Sequence, residues 1–204
     1  MANLQEIKRI PRYATAGYCS NHRLKNWDCN HCKTLDLDIQ VKHKFYELYT
    51  GSKGFLTIDK AGKQTIVSLR NSIEIKNFAN NANMLLSSYS VGNGNTDIHT
   101  HTVLKNPLYK VLKKFINEFG ALSKEHVNYE TTIIGYLFEL SISTLVLIEF
   151  RSVFNLSWDR MELYTYDGFR VGNVGFAQWF NTQLLTIARV PMVKTLYHIS
   201  PRFT

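Results

Sequence analysis

The side chains best suited to chemistry in this sequence are three cysteines, a spaced histidine pair and a few serines beside apolar runs. Cys29 and Cys32 form a CxxC pair on a polar stretch, with Cys19 left over. Three thiols fall one short of a four-cysteine zinc site, which only His22 or His31 could complete. A close pair with an odd cysteine to spare fits a local Cys29–Cys32 disulfide or free thiols better, and no metal is expected. His99 and His101 have the HxH spacing that chelates a metal from a strand, but neither a third histidine nor a carboxylate lies close in sequence. His198 reads as a surface or packing histidine. Ser141 and Ser143 sit inside an apolar segment, where a hydroxyl is poorly placed to attack anything, and Ser72 ends a strand-like run.

These residues must be positioned by elements that the residue pattern foretells. Residues 1–18 read as a short helix followed by a turn at Pro11, and 19–34 as a polar loop carrying the cysteines. Gly54–Asp59 and Gln64–Leu69 alternate like two strands, joined by the turn Lys60-Ala61-Gly62-Lys63. Ile73–Asn81 is a short amphipathic segment, and Ser87–Thr96, rich in glycine and asparagine, is an exposed loop. A helix over Pro107–Phe119, a strand over Glu130–Ile134, a helix over Glu139–Phe150, a strand over Met161–Tyr166 and a helix over Val174–Leu185 complete the series. Strands alternating with such helices predict an α/β fold with a mainly parallel sheet covered on both faces.

With 204 residues and 45% hydrophobic content, the chain suits one α/β domain with a real core. No run approaches the ~18 apolar residues of a membrane span, since Ile142–Ile148 contains Ser143 and Thr144 and ends at Glu149. The N-terminus, with Gln5, Glu6, Lys8 and Arg9, shows no export signal and as written suits a chain kept inside the cell, whereas the disulfide-like CxxC points the opposite way, so the compartment stays open. A net charge of +8 would favour acidic partners if it were gathered on one face. Only Lys105, Lys110, Lys113 and Lys114 cluster, opposite Leu108, Val111, Leu112, Phe115 and Phe119, as the solvated side of an amphipathic helix. Without aromatic residues interleaved among the basic ones, no nucleic-acid partner is expected.

Four stretches, in order from about Tyr13 to Pro201, resemble the fungal class 3 lipase family of triacylglycerol and feruloyl ester hydrolases. Tyr18-Cys19 followed by Trp27-Asp28-Cys29-Asn30-His31-Cys32 is similar to the family's YC…WDCxHC. Thr65-Ile66-Val67-Ser68-Leu69-Arg70-Asn71-Ser72 and then Ile75-Lys76-Asn77-Phe78 resemble its strand, RGS turn and lid helix. Asn71 stands where the family has glycine, a site that asparagine tolerates because it accepts positive φ. Tyr164-Thr165-Tyr166-Asp167-Gly168-Phe169-Arg170-Val171-Gly172-Asn173 with Phe176-Ala177 resembles YTYGxPRVGNxxFA. Gly168 and Gly172 allow tight turning there, and Asn173 is placed to cap the next helix. Thr131–Leu140 lies where the family carries a strand and GHSLGG, the elbow that holds the nucleophilic serine between glycines.

The resemblance implies an α/β-hydrolase-like fold with its C-terminal part missing: a single lipase-like domain over 1–204, with a helix and cysteine loop over 1–34 and the hydrolase core over 50–204. It also implies that the chemistry is gone. Leu137 holds the nucleophile position, Glu139 the second glycine and Ala188 the position of the acid. The family's base histidine would fall beyond Thr204. What is left is a remnant of the oxyanion hole, Ser72 and Phe138, and a disulfide at Cys29 and Cys32. The expected protein is therefore a lipase-like pseudoenzyme that needs no cofactor, with a lipid or acyl-ester surface as its partner. The alternatives are a non-catalytic acyl-binding module or an esterase with atypical residues. A family counterpart of Cys19 pairs near the C-terminus, so Cys19 is expected to lack a mate and one sheet edge to lie uncovered.

Overall fold

The computed structural model describes residues 4–30, 32, 38–46, 53–70, 85–91, 97–136, 139–166, 170–183 and 186–190. Six strands form one sheet: β1 (Ile39–Tyr46), β2 (Lys53–Asp59), β3 (Gln64–Arg70), β6 (Glu130–Tyr136), β7 (Met161–Tyr166) and β8 (Thr186–Val190), hydrogen-bonded in that spatial order. β1, β2 and β3 make an antiparallel meander, whereas β3, β6, β7 and β8 run parallel. Between β3 and β6 the short strands β4 (Leu86–Ser88) and β5 (His99–His101) pair as a separate ribbon. The sheet thus has the expected mainly parallel α/β character.

Period-two alternation sends side chains to two cores. On one face Leu56, Ile58, Val67, Leu69, Ile133 and Leu163 meet α3 (Lys105–Glu125), α4 (Glu139–Phe154) and α5 (Val174–Asn181). Phe119 and Phe150 stack here, 4.1 Å between ring centroids, joining α3 to α4. On the other face Phe55, Ile66, Ile134, Tyr164 and Ala188 pack beneath α1 (Leu4–Ala16), through its Ile10, Tyr13 and Ala14. Both faces of the parallel strands are apolar because both are covered, which explains the unbroken burial along β7. The lysine-bearing helix behaves as its pattern requires: Leu108, Val111, Phe115 and Phe119 are buried, and Lys105, Lys113 and Lys114 are exposed.

Several boundaries differ from the sequence reading. α1 runs straight through Pro11 instead of turning there, because Ile10, Tyr13 and Ala14, on either side of the proline, are all buried against the sheet. That packing outweighs the one backbone hydrogen bond that proline cannot donate. The helix expected over Val174–Leu185 ends at Asn181, and β8 follows almost at once, held by its register with β7, Ala188 opposite Tyr164. β1 and the short helix α2 (Asn21–Lys25), capped by Ser20, were not foreseen. The hairpin turn Lys60–Lys63 stands as expected, with Lys63 at φ 50° and the Gly62 N–H donating to Asp59 Oδ1 at 2.8 Å. Ile73–Asn81 and Gly92–Thr96 lie outside the described residues, and Ser87 and Ser88, expected to open the Ser87–Thr96 loop, belong instead to strand β4, paired with Thr100 and His99.

Candidate functional site

In open α/β sheets, ligands and reacting groups collect at the carboxyl ends of the parallel strands. Here β3 ends at Arg70, β6 at Tyr136 and β7 at Tyr166, all three on the face covered by α1, since each lies an even number of residues from Ile66, Ile134 or Tyr164. The bend after α1 brings Tyr18 over them. The guanidinium carbon of Arg70 lies 4.2 Å from the Tyr18 ring centroid. The Tyr18 and Tyr136 rings meet edge-on at 6.3 Å, and Tyr136 and Tyr166 lie 6.3 Å apart. The result is a continuous rim of one cation and three phenols, in which Tyr18 remains 47% exposed and Tyr166 only 5%.

The Tyr166 hydroxyl is enclosed and has no hydrogen-bond partner among the described residues. Its burial raises its pKa well above the usual tyrosine value, so at neutral pH this phenol is a proton donor and not a base. Among the described residues that end β3, β6 and β7 there is no serine, cysteine, histidine or carboxylate. The rim can stack against flat or apolar groups and present a positive charge.

β6 ends at Tyr136 and α4 begins at Glu139, with two residues between them. These two, Leu137 and Phe138, lie outside the described residues, as do Ser72 and His198. Ala188 is buried in the middle of β8. Ser141 and Ser143 are fully buried within α4, and the Ser143 hydroxyl donates to Leu140 O at 3.0 Å. His99 and His101 belong to β5, and the only group of metal-binding type among the described residues is the cysteine cluster, not this pair.

What His99 does is structural. Its main-chain N–H donates to Asn173 Oδ1 at 3.1 Å, and the Asn173 amide donates in turn to Asp97 O at 2.7 Å. The same Oδ1 accepts from Phe176 N at 2.9 Å, so Asn173 caps α5 as expected and also fastens β5 to it. Gly172 makes this approach possible: a Cβ there would stand 2.0 Å from His99 O.

Cys29 and Cys32 are buried with their sulfurs in contact, as the CxxC pair suggested. Cys19, expected to lack a mate, is not isolated: its sulfur also contacts that of Cys29. The bend between α1 and α2 carries it there, a long-range effect of Tyr13, Trp27 and Leu24 packing under the helix. Sequence reasoning had a motif for the cysteines but none for the Arg70–Tyr18–Tyr136–Tyr166 rim. The available signal was that three aligned strands each end on a large polar or aromatic side chain of the same parity.

This architecture is the α/β-hydrolase fold of the fungal triacylglycerol lipases. The structure superposes on a lipase from Rhizopus microsporus var. chinensis with a TM-score of 0.80 at 21% identity, covering 93% of this chain and 67% of that one. Against the Rhizomucor miehei lipase–propeptide complex the TM-score is 0.77 at 20% identity, covering 93% of this chain and 61% of that one. A triacylglycerol lipase whose catalytic centre is formed by a serine protease triad gives 0.77 at 20% identity, with 93% and 72% covered. No protein-family model and no curated protein matches the sequence.

Proposed function

We propose that this chain is a lipase-fold protein that does not cleave esters. The observation that supports the reading is the sequence between β6 and α4, Tyr136-Leu137-Phe138-Glu139, which offers hydrocarbon where the resemblance to the lipases would have an attacking serine. Acyl transfer of the triad type needs a nucleophile, a base and an acid. Leu137 supplies no nucleophile, and Ala188 no carboxylate. The serines nearest along the chain, Ser141 and Ser143, are enclosed in α4. Purified protein is expected to leave p-nitrophenyl butyrate and emulsified triacylglycerol intact and to take up no fluorophosphonate label. Labelling at any residue near the β6–α4 join would overturn the proposal.

A second reading, that the protein binds acyl groups or a lipid surface without turnover, is favoured by the aromatic rim. Tyr18 and Tyr136 offer flat, partly exposed faces beside a cation, a combination suited to the boundary between apolar chains and charged headgroups. Co-sedimentation with anionic vesicles that weakens in a Tyr18→Ser variant supports it. Equal sedimentation of both proteins, or none of either, counts against it.

A further inference from the structure

The sulfurs of Cys19, Cys29 and Cys32 all lie within 4.8 Å of one another. Cys29 is in contact with both others, yet one sulfur forms one disulfide, so the two pairings exclude each other. Each is compatible with the backbone as it stands, with Cα–Cα separations of 6.2 Å for Cys19 with Cys29 and 5.0 Å for Cys29 with Cys32. Both separations fall inside the ~4.4–6.8 Å range that disulfides span.

The three sulfurs are not equivalent. Cys29 and Cys32 are buried at 2% and 0%, whereas Cys19 is partly exposed. Cys19 lines an open cavity of about 580 Å³ together with Tyr18, Tyr46, Lys44 and Lys53. Lys53 lies over the Tyr46 ring at 4.7 Å, and Lys44 donates to Asn21 O at 2.8 Å, which fixes two cations in the cavity wall. Positive charge in the wall attracts anionic reagents.

We propose that these cysteines form an internal thiol–disulfide exchange site, with Cys29 as the shared sulfur and Cys19 as the outward sulfur open to small anionic disulfides. In the exchange, the Cys19 thiolate attacks Cys29 Sγ. The Cys19–Cys29 bond forms as the Cys29–Cys32 bond breaks, and Cys32 leaves as a thiolate that takes up one proton. One disulfide and one thiol are present before and after, so neither oxidant nor reductant is consumed. When the thiol is on Cys19, a carboxylate-bearing disulfide entering the cavity is attacked in the same way, leaving a mixed disulfide on Cys19 and releasing one small thiol.

The test is disulfide mapping of residues 1–204 purified without reductant, with thiols trapped in acid and peptides read by mass spectrometry. One thiol per chain is expected, divided between Cys19 and Cys32. Prolonged alkylation of the native protein at neutral pH is expected to collect the label on Cys19 until all molecules carry Cys29–Cys32, because exchange keeps returning the thiol to the exposed position. Oxidised glutathione serves as the anionic disulfide, and its coupling to Cys19 is expected to slow about tenfold in Lys44→Glu/Lys53→Glu. A fixed Cys29–Cys32 pair in every molecule, or three free thiols holding stoichiometric zinc, would overturn the proposal. Cys19→Ser and Cys32→Ser, each locked in one pairing, serve as reference spectra, and the wild-type result stands even if either variant folds poorly.

Discussion

Arg9 and Asp59, 50 positions apart in sequence, meet at 2.8 Å between guanidinium and carboxylate and so bind α1 to the far end of β2. Asp59 is completely enclosed, and Arg9 extends the contact by donating to Gln64 Oε1 at 2.6 Å. Tyr13 adds its hydroxyl at 3.4 Å and Gly62 its N–H at 2.8 Å. Beyond them Gln64 and Thr132 both donate to Glu162, at 3.3 and 2.9 Å, extending the polar layer across β3, β6 and β7.

Removing the cation from such a pair strands a buried carboxylate, a change that typically costs about 3 kcal/mol or more. Arg9→Met is accordingly expected to lower the urea midpoint with little change in slope, while a surface control such as Lys113→Met leaves it in place. An unshifted midpoint in Arg9→Met would show that Asp59 finds other compensation.

Gly172→Ala places a methyl carbon against His99 O, where there is room for none. Asn173→Ala removes the cap of α5 and its side-chain bonds to His99 N–H and Asp97 O, and losing the cap alone costs about 1 kcal/mol. Both variants are expected to be destabilised, Gly172→Ala the more so, and amide exchange of His99 and His101 should accelerate in each. Protection unchanged at His101, whose N–H donates to Val171 O, would mean that the ribbon is held by something else.

Alkaline pH offers a test of tyrosine burial. Burial, with the added repulsion of Asp59 at Tyr13 and of Glu149 at Tyr89, holds these phenols and Tyr166 neutral above their ordinary pKa of about 10. A folded-state pKa above the unfolded one contributes stability that is complete below pH ~10 and disappears as pH rises through the folded value. Stability should therefore fall steeply above pH ~10, with phenolate absorbance from these three tyrosines appearing together with unfolding. Their titration inside a still-folded protein would contradict the burial.

Leu137→Ser returns a hydroxyl to the β6–α4 join without restoring an acid at Ala188. No measurable turnover of p-nitrophenyl butyrate is expected from this variant beyond that of the parent. Triad members act as a unit, and an isolated serine lacks a base to take its proton. A gain in rate sensitive to fluorophosphonate would reveal a base still in place.

The parts of the fold legible from sequence were those in which local pattern and tertiary demand agree. β2 and β3 alternate cleanly around a polar four-residue turn, and α3 carries lysines opposite a stripe of leucine and phenylalanine. β1 escaped notice because Lys42 and Lys44 interrupt its pattern. A strand paired on one side only, with partly exposed residues, needs little apolar alternation. β8 was not read as a strand because only its alignment with β7 makes five residues one. Pro11 suggested a break that burial on both its sides overrode. The cysteine pair was visible as a motif, whereas Cys19 reaching Cys29 depends on how α1 bends into α2. The rim of Arg70, Tyr18, Tyr136 and Tyr166 joins four distant segments, and no spacing rule connects them.

The sheet's change of direction at β3 bears on the order in which the molecule assembles. β1, β2 and β3 are neighbours in both sequence and space, so they zip together across short closures. β6 must return to β3 from across the whole α3 excursion, at a far greater cost in chain freedom. The meander thus presents a preformed template on which the parallel half docks strand by strand, and α1, which rests on β3 and β6 together, gains its seat only once the second has arrived. Pulse-labelled hydrogen exchange would show protection in β2 and β3 preceding that in β7.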